Sequence, residues 1–151
     1  MSEMKNETYE HIRAVQRNLL TIAKELIDRA NAHDQSKLLP PEAEMFEAAT
    51  AKLNGLTYGS DEYKEALKDL GPALKHHYES NRHHPEHWGG GITDFTLCDL
   101  VEMFCDWCAA TLRHENGSIQ NSIEINQGRF KYSDDLKAIL QNSRYGMEAK
   151  P

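Results

Sequence analysis

Five of the chain's eight histidines fall in one stretch, HHYESNRHHPEHW: His76, His77, His83, His84 and His87. Neutral imidazoles ligate iron, zinc, manganese and related ions, most often in mixed sets with carboxylates. A polar surface rich in histidine is the plainer alternative. The dipeptide His33-Asp34, in NAHDQSK, offers matching chemistry. Its imidazole and carboxylate can serve one ion, and the carboxylate can bridge to a second. Such a pair needs further ligands from elsewhere, and the candidates are His11, the 76–87 cluster, and the carboxylates Asp99, Glu102 and Asp106. These three acids are spaced i, i+3, i+7, so they share one helix face. Arg113 follows one heptad beyond Asp106, and the stripe also reads as a solvated acidic surface. Two cations are placed to neutralise phosphate charge: Lys37, one helical turn beyond His33, and Arg82, inside the cluster. Lys75 borders the cluster and reads as an exposed cation. Glu42 or Glu86 could assist proton transfer. Tyr78, Trp88 and Trp107 could wall a pocket, although Trp107 lies on a helix that must pack.

The elements that carry these residues read as helices. Ile12, Val15, Leu19, Ile22, Leu26 and Ile27 recur at helical spacing between about Thr8 and Ala30. A second helix follows Pro40 and Pro41, with Glu42 and Glu44 in its first turn and Gly55 at its end. Ser60 is a cap candidate for the next segment, which Gly71-Pro72 divides in two. Pro85 disfavours helix at His84, and Gly89 to Gly91 make the following loop pliable. The strongest helical pattern begins with Thr93 or Asp94 as cap and stops at Gly117. A shorter helix covers Ser118 to Asn126, and a last one is capped by Ser133. No alternating strand pattern and no repeat is seen. The expectation is an all-α fold, a compact single-domain helical bundle over residues 1–151.

Composition narrows the classes. The 151 residues are 39% hydrophobic and 27% charged, values typical of a globular domain. No apolar run approaches the ~20 residues needed to span a bilayer, and the N-terminus lacks a signal-peptide core, so a cytoplasmic location and no membrane partner are expected. A net charge of −7 argues against a nucleic-acid duplex as partner. Cys98, Cys105 and Cys108 read as free thiols, on an apolar stripe with Val101 and Leu112 that belongs in the core.

The order His11, His33-Asp34, histidine cluster, late-helix aspartate resembles the HD-domain superfamily, whose signature is H…HD…D on an all-helical fold. More closely it resembles a bacterial and phage branch recognised by its motifs rather than by a settled reaction. HDxSK is matched by His33 to Lys37, the histidine-rich segment by HHYESNRHHPEH, and EMxCDW by Glu102 to Trp107. The matches run from His11 to about Arg113. The resemblance implies His11, His33, Asp34 and Asp106 as metal ligands, with Asp99 the competitor of Asp106. It implies His77 and His84 for a second metal, with His76 and His83 able to replace them. One requirement comes with it. On one straight helix His11 and His33 would stand roughly 33 Å apart at ~1.5 Å per residue. They could share an ion only if the chain turned between them, where just Asp28 and Asn31 are weak breakers.

The function this implies is a metal-dependent phosphohydrolase acting on a nucleotide or similar small phosphate ester. One or two divalent transition-metal ions (Mn, Fe, Co, Ni or Zn) would activate water. Asp34, Lys37 and Arg82 are the expected catalytic residues. A di-iron oxygenase and a non-catalytic, metal-stabilised interaction protein are the alternatives.

Overall fold

The computed structural model describes residues 3–53, 65, 68, 70–113 and 117–143, and divides the chain into two units, Met1–His33 and Asp34–Pro151. The protein is all-α, and every regular element among the described residues is helical.

The first unit is one helix, α1 (Glu3–Ala32). It holds no Gly or Pro, and the ion pairs Lys24–Asp28 and Glu25–Arg29 bridge successive turns where a break was needed. It therefore runs straight through Asp28 and Asn31. The expected segment of about 8–30 is extended at both ends.

In the second unit, Asp34 takes a left-handed conformation (φ 56°, ψ 15°). Aspartate tolerates that region better than most residues. A short 3₁₀ turn follows (Gln35–Leu38), then α2 (Glu42–Leu53) and α3 (Gly71–Ser80). Pro72 sits in the first turn of α3, where its missing N–H leaves no helical bond unmade. Ser60 and Gly55 lie outside the described residues. His84 is extended, as a residue before proline tends to be. Two further 3₁₀ turns, Pro85–His87 and Gly91–Asp94, lead to α4 (Leu97–Thr111). Then come α5 (Ile119–Phe130) and α6 (Asp134–Asn142), capped by Ser118 and Ser133.

Two expectations about α4 are corrected. Its cap is Thr96, not Thr93 or Asp94, because Asp94 turns back to accept from the Gly90 amide at 2.8 Å. Thr96 and Asp99 instead form a reciprocal capping box. The cysteine stripe also does not lie wholly in the core: Cys98 and Cys108 are buried, but Cys105 and Val101 are exposed. A helix turns ~100° per residue. The buried arc is set by Met103, Phe104, Trp107 and Cys108, which leaves 101 and 105 off its edge.

The main core joins Phe104 and Cys108 of α4 to Ile119, Ile123, Tyr132 and Leu140. Trp107 stacks on Phe130 and Tyr132 at its border. The Tyr132 hydroxyl donates to the Ile123 carbonyl at 2.6 Å, and burial pushes its pKa up to about 12. A smaller cluster packs Leu70, Ala73 and Leu74 against Met45 and Phe46, which joins α3 to α2.

Arg82 ties the histidine-rich segment to the start of α4. It donates through Nε and Nη2 to the two oxygens of fully buried Asp99, at 2.9 and 3.1 Å. Asp99→Ala is therefore expected to cost about 2 kcal/mol, since it removes a cap and the partner of Arg82, whose half-exposed guanidinium can turn to water. Thr96→Ala should cost about 1 kcal/mol, and Cys105→Ser should stay within about 0.5 kcal/mol. Equilibrium urea unfolding of the three variants checks the order.

Candidate metal centre

The centre is built from the second unit alone. α3 carries His76 and His77 at adjacent positions, ~100° apart around the helix, so only one can face inward. It is His77, 2% exposed, whose edge meets the Phe46 ring. The segment after α3 returns His83 and His84 to the same place. His77 Nε2 stands 2.8 Å from His84 Nε2 and 3.3 Å from Asp34 Oδ1, and His83 Nε2 lies 3.6 Å from that same oxygen. Asp34, His77, His83 and His84 thus offer three ring nitrogens and one carboxylate oxygen, all within 4.8 Å of one another.

Two of the rings are backed by carboxylates. His77 Nδ1 donates to Glu42 Oε2 at 3.0 Å, and His83 Nδ1 faces Glu102 Oε1 at 3.1 Å. A proton held on Nδ1 leaves the Nε2 lone pair aimed at the cluster, the arrangement common behind metal-bound histidines. Glu42 is fully buried at the first turn of α2. It also accepts from His76 Nδ1 at 2.6 Å and from Ser36 Oγ at 2.9 Å. Burial alone would raise its pKa. The hydrogen bonds from His76, Ser36 and His77 outweigh burial and hold the carboxyl below its usual range. Asn81 completes the support, donating to Ser36 Oγ at 2.8 Å and to the His77 carbonyl at 2.9 Å.

Two of the rings, His84 and His77, are biased toward the neutral form. Burial, then the neighbouring His83 and His77, push His84 down to about 3. Burial and the Lys37 ammonium likewise lower His77, against the opposing pull of Asp34 and Glu42. Neutral imidazole is the ligating form. Buried His, Asp and Glu groups of this kind could hold a metal ion. Three imidazoles and a carboxylate fit a borderline divalent transition metal, whereas calcium and magnesium favour all-oxygen sites.

The remaining expected residues are placed as follows. Lys37 Nζ donates to Asp34 Oδ2 at 2.5 Å and lies at the edge of the cluster, 34% exposed. Asp106 brings a carboxylate oxygen within 4.8 Å of one from Asp34. Asp99, its competitor, is committed to Arg82 and the α4 cap, and Arg82, expected at a substrate phosphate, grips Asp99. His33 closes the first unit in the turn after α1, one residue before Asp34. His11 is exposed on α1. With no turn between them, the two stand roughly 33 Å apart along that helix, so His11 cannot join His33 on one ion within a copy. His87 donates to the Tyr78 carbonyl at 2.8 Å, and Trp88 packs on Arg82. Glu86 pairs with Arg129.

Sequence reasoning missed that His83 and His84 face the cluster together. It missed Glu42 and Glu102 as the groups that orient rings, and Ser36 and Asn81 as their supports. The i, i+4 spacing of His77 and Asn81 was the available signal for the last.

Fold and cluster together define an all-helical protein with a buried histidine–carboxylate centre. The chain belongs to a family of unknown function, DUF5662, which it matches over residues 1–145. No curated protein and no solved structure matches it.

Titration calorimetry with Zn²⁺ or Co²⁺ is expected to show binding that Ala at Asp34, His77, His83 or His84 abolishes. Glu42→Gln should weaken it by roughly 10- to 100-fold. Acid should also destabilise the metal-free protein. Unfolded imidazole takes up a proton near 6.5, while folded His84 and His77 resist it. Stability is then complete above pH 6.5 and falls as pH drops, by about 1.4 kcal/mol per pH unit for His84 until pH nears 3, with His77 adding in the same direction. Denaturant titrations between pH 7.5 and 5 measure the slope, which His84→Gln should flatten.

Proposed function

We propose that the chain is a metal-dependent phosphohydrolase acting on a nucleotide or another small phosphate ester. The observation that carries this reading is the convergence of His77, His83 and His84 with Asp34 while Lys37 stands beside Asp34. The resemblance of its motifs to the HD-domain superfamily supports the same reaction class. Asp34, His77, His83 and His84 would hold the first ion. Asp106 beside Asp34 leaves room for the carboxylate to bridge to a second. Mn, Fe, Co, Ni and Zn all suit these donors.

A bound divalent ion supplies Lewis acidity and a water acidic near neutral pH. The chain's own residues do the rest. Glu42 and Glu102 keep His77 and His83 in the ligating tautomer. Lys37 is the cation within reach of a phosphoryl oxygen, and an incoming phosphate would compete with Asp34 for its ammonium. Arg82 acts at a remove, by holding the His83-His84 segment against α4 through Asp99.

Metal-replete protein assayed against a broad panel of nucleotides and phosphate esters tests the proposal. Phosphate release is expected, lost in Asp34→Ala and lowered roughly 100-fold in kcat/KM by Lys37→Ala. No release from any substrate would overturn it. Iron-dependent oxygen consumption in its place would assign the centre to the oxygenase class.

A further inference from the structure

We infer that Lys37 couples metal to substrate: a phosphate group that draws its ammonium off Asp34 tightens the centre's hold on a divalent ion. This rests on the reading of the centre as a phosphohydrolase site and names how that site is regulated. Its basis is the way one carboxylate is shared. Asp34 turns Oδ1 to the rings, 3.3 Å from His77 Nε2 and 3.6 Å from His83 Nε2, and gives Oδ2 to Lys37 Nζ at 2.5 Å. Asp34 is the one carboxylate in the group it forms with His77, His83 and His84, and it is bonded to a cation. A carboxylate that neutralises an ammonium has less charge to give a metal ion, and the ammonium repels that ion as well.

Two further observations show that the ammonium acts on the centre and is able to leave it. Its field reaches the rings. After burial, Lys37 is the largest influence holding His77 below its usual value, and it adds to the same effect on His84. A field that opposes a proton on these rings also opposes a metal ion at their Nε2 atoms. The side chain is also at the edge of the centre. It rises from the 3₁₀ turn, 34% exposed, and its ammonium lies 5.8 Å over the face of Phe46, the ring whose edge meets His77. Its flexible four-carbon stem lets the ammonium swing from Oδ2 to an incoming anion without moving the turn. A doubly charged tetrahedral oxyanion set between ion and ammonium does two things at once. It takes Lys37 from Asp34, and it lies between two positive charges that otherwise repel. The affinities for ion and anion therefore rise together, by one common factor.

The test is titration calorimetry of the full chain with Co²⁺ at neutral pH, in about 20 mM sulfate and in chloride of equal ionic strength. Sulfate is a tetrahedral dianion with no ester bond to cleave, and its own pairing with Co²⁺ in solution acts in the opposite direction. Sulfate is expected to tighten Co²⁺ binding about tenfold in the wild type, an arm that needs no variant to fold. Lys37→Met should bind Co²⁺ roughly threefold more tightly than the wild type in chloride, and should lose the sulfate effect. Lys37→Arg keeps the cation and should retain it. A lysine that merely braced Asp34 would instead give weaker binding in Lys37→Met. That weaker binding overturns the inference, as does a sulfate effect that is absent from the wild type or survives in Lys37→Met. Phosphate release, assayed on the same samples, separates the two readings. Release without coupling sinks the coupling alone, whereas coupling without release upholds it and sinks the phosphohydrolase.

Discussion

Glu42 is the constraint on which the centre depends. A carboxylate with no access to water is costly unless donors surround it. Three do: the rings of His76 and His77 and the Ser36 hydroxyl. They come from two places, the 3₁₀ turn before α2 and the helix α3 after it, so satisfying one buried charge fixes the 3₁₀ turn, α2 and α3 against one another. The same bonds choose the tautomer of His77. Structure and chemistry are therefore met by one set of hydrogen bonds, and neither can be altered alone.

α4 plays the matching part on the other side. Its turn of ~100° per residue divides it into three arcs. One arc packs Phe104 and Cys108 into the main core. A second presents Asp99, Glu102 and Asp106 to the histidine-bearing segment and to Asp34. The third, with Val101 and Cys105, is exposed. The acidic stripe is thus neither a solvated surface nor a uniform ligand set. Asp99 clamps Arg82, Glu102 orients His83, and Asp106 stands near Asp34, each at the height its turn of helix allows.

Burial gives the cluster its chemical state. Three imidazoles brought together away from water cannot all carry charge, because each positive ring would raise the energy of the next. His84 and His77 are pushed toward the neutral form, with lone pairs available. The left-handed backbone of Asp34 belongs to the same logic. It ends the helical run and sends the carboxylate toward those rings, a conformation held by the contacts around it.

The sequence by itself determined the helical class, the apolar spacing along α1, the cap at Ser133, the break at Pro85 and the inventory of candidate ligating residues. All of these depend on near neighbours in the chain. Only the tertiary structure decided which residues are used. His76 and His77 are adjacent, and which one turns inward is settled by α2 packing on α3. Glu42 and Glu102 look like any helix-surface acids until a ring from a distant segment is placed 3 Å away. The straightness of α1 separated His11 from His33, against what the order of motifs implied, because no local signal was strong enough to break a helix with favourable spacing throughout. Helix and turn arise from neighbours along the chain, whereas the convergence of Asp34, His77, His83 and His84 arises from packing between segments. That packing is a sum over contacts that spacing alone does not record.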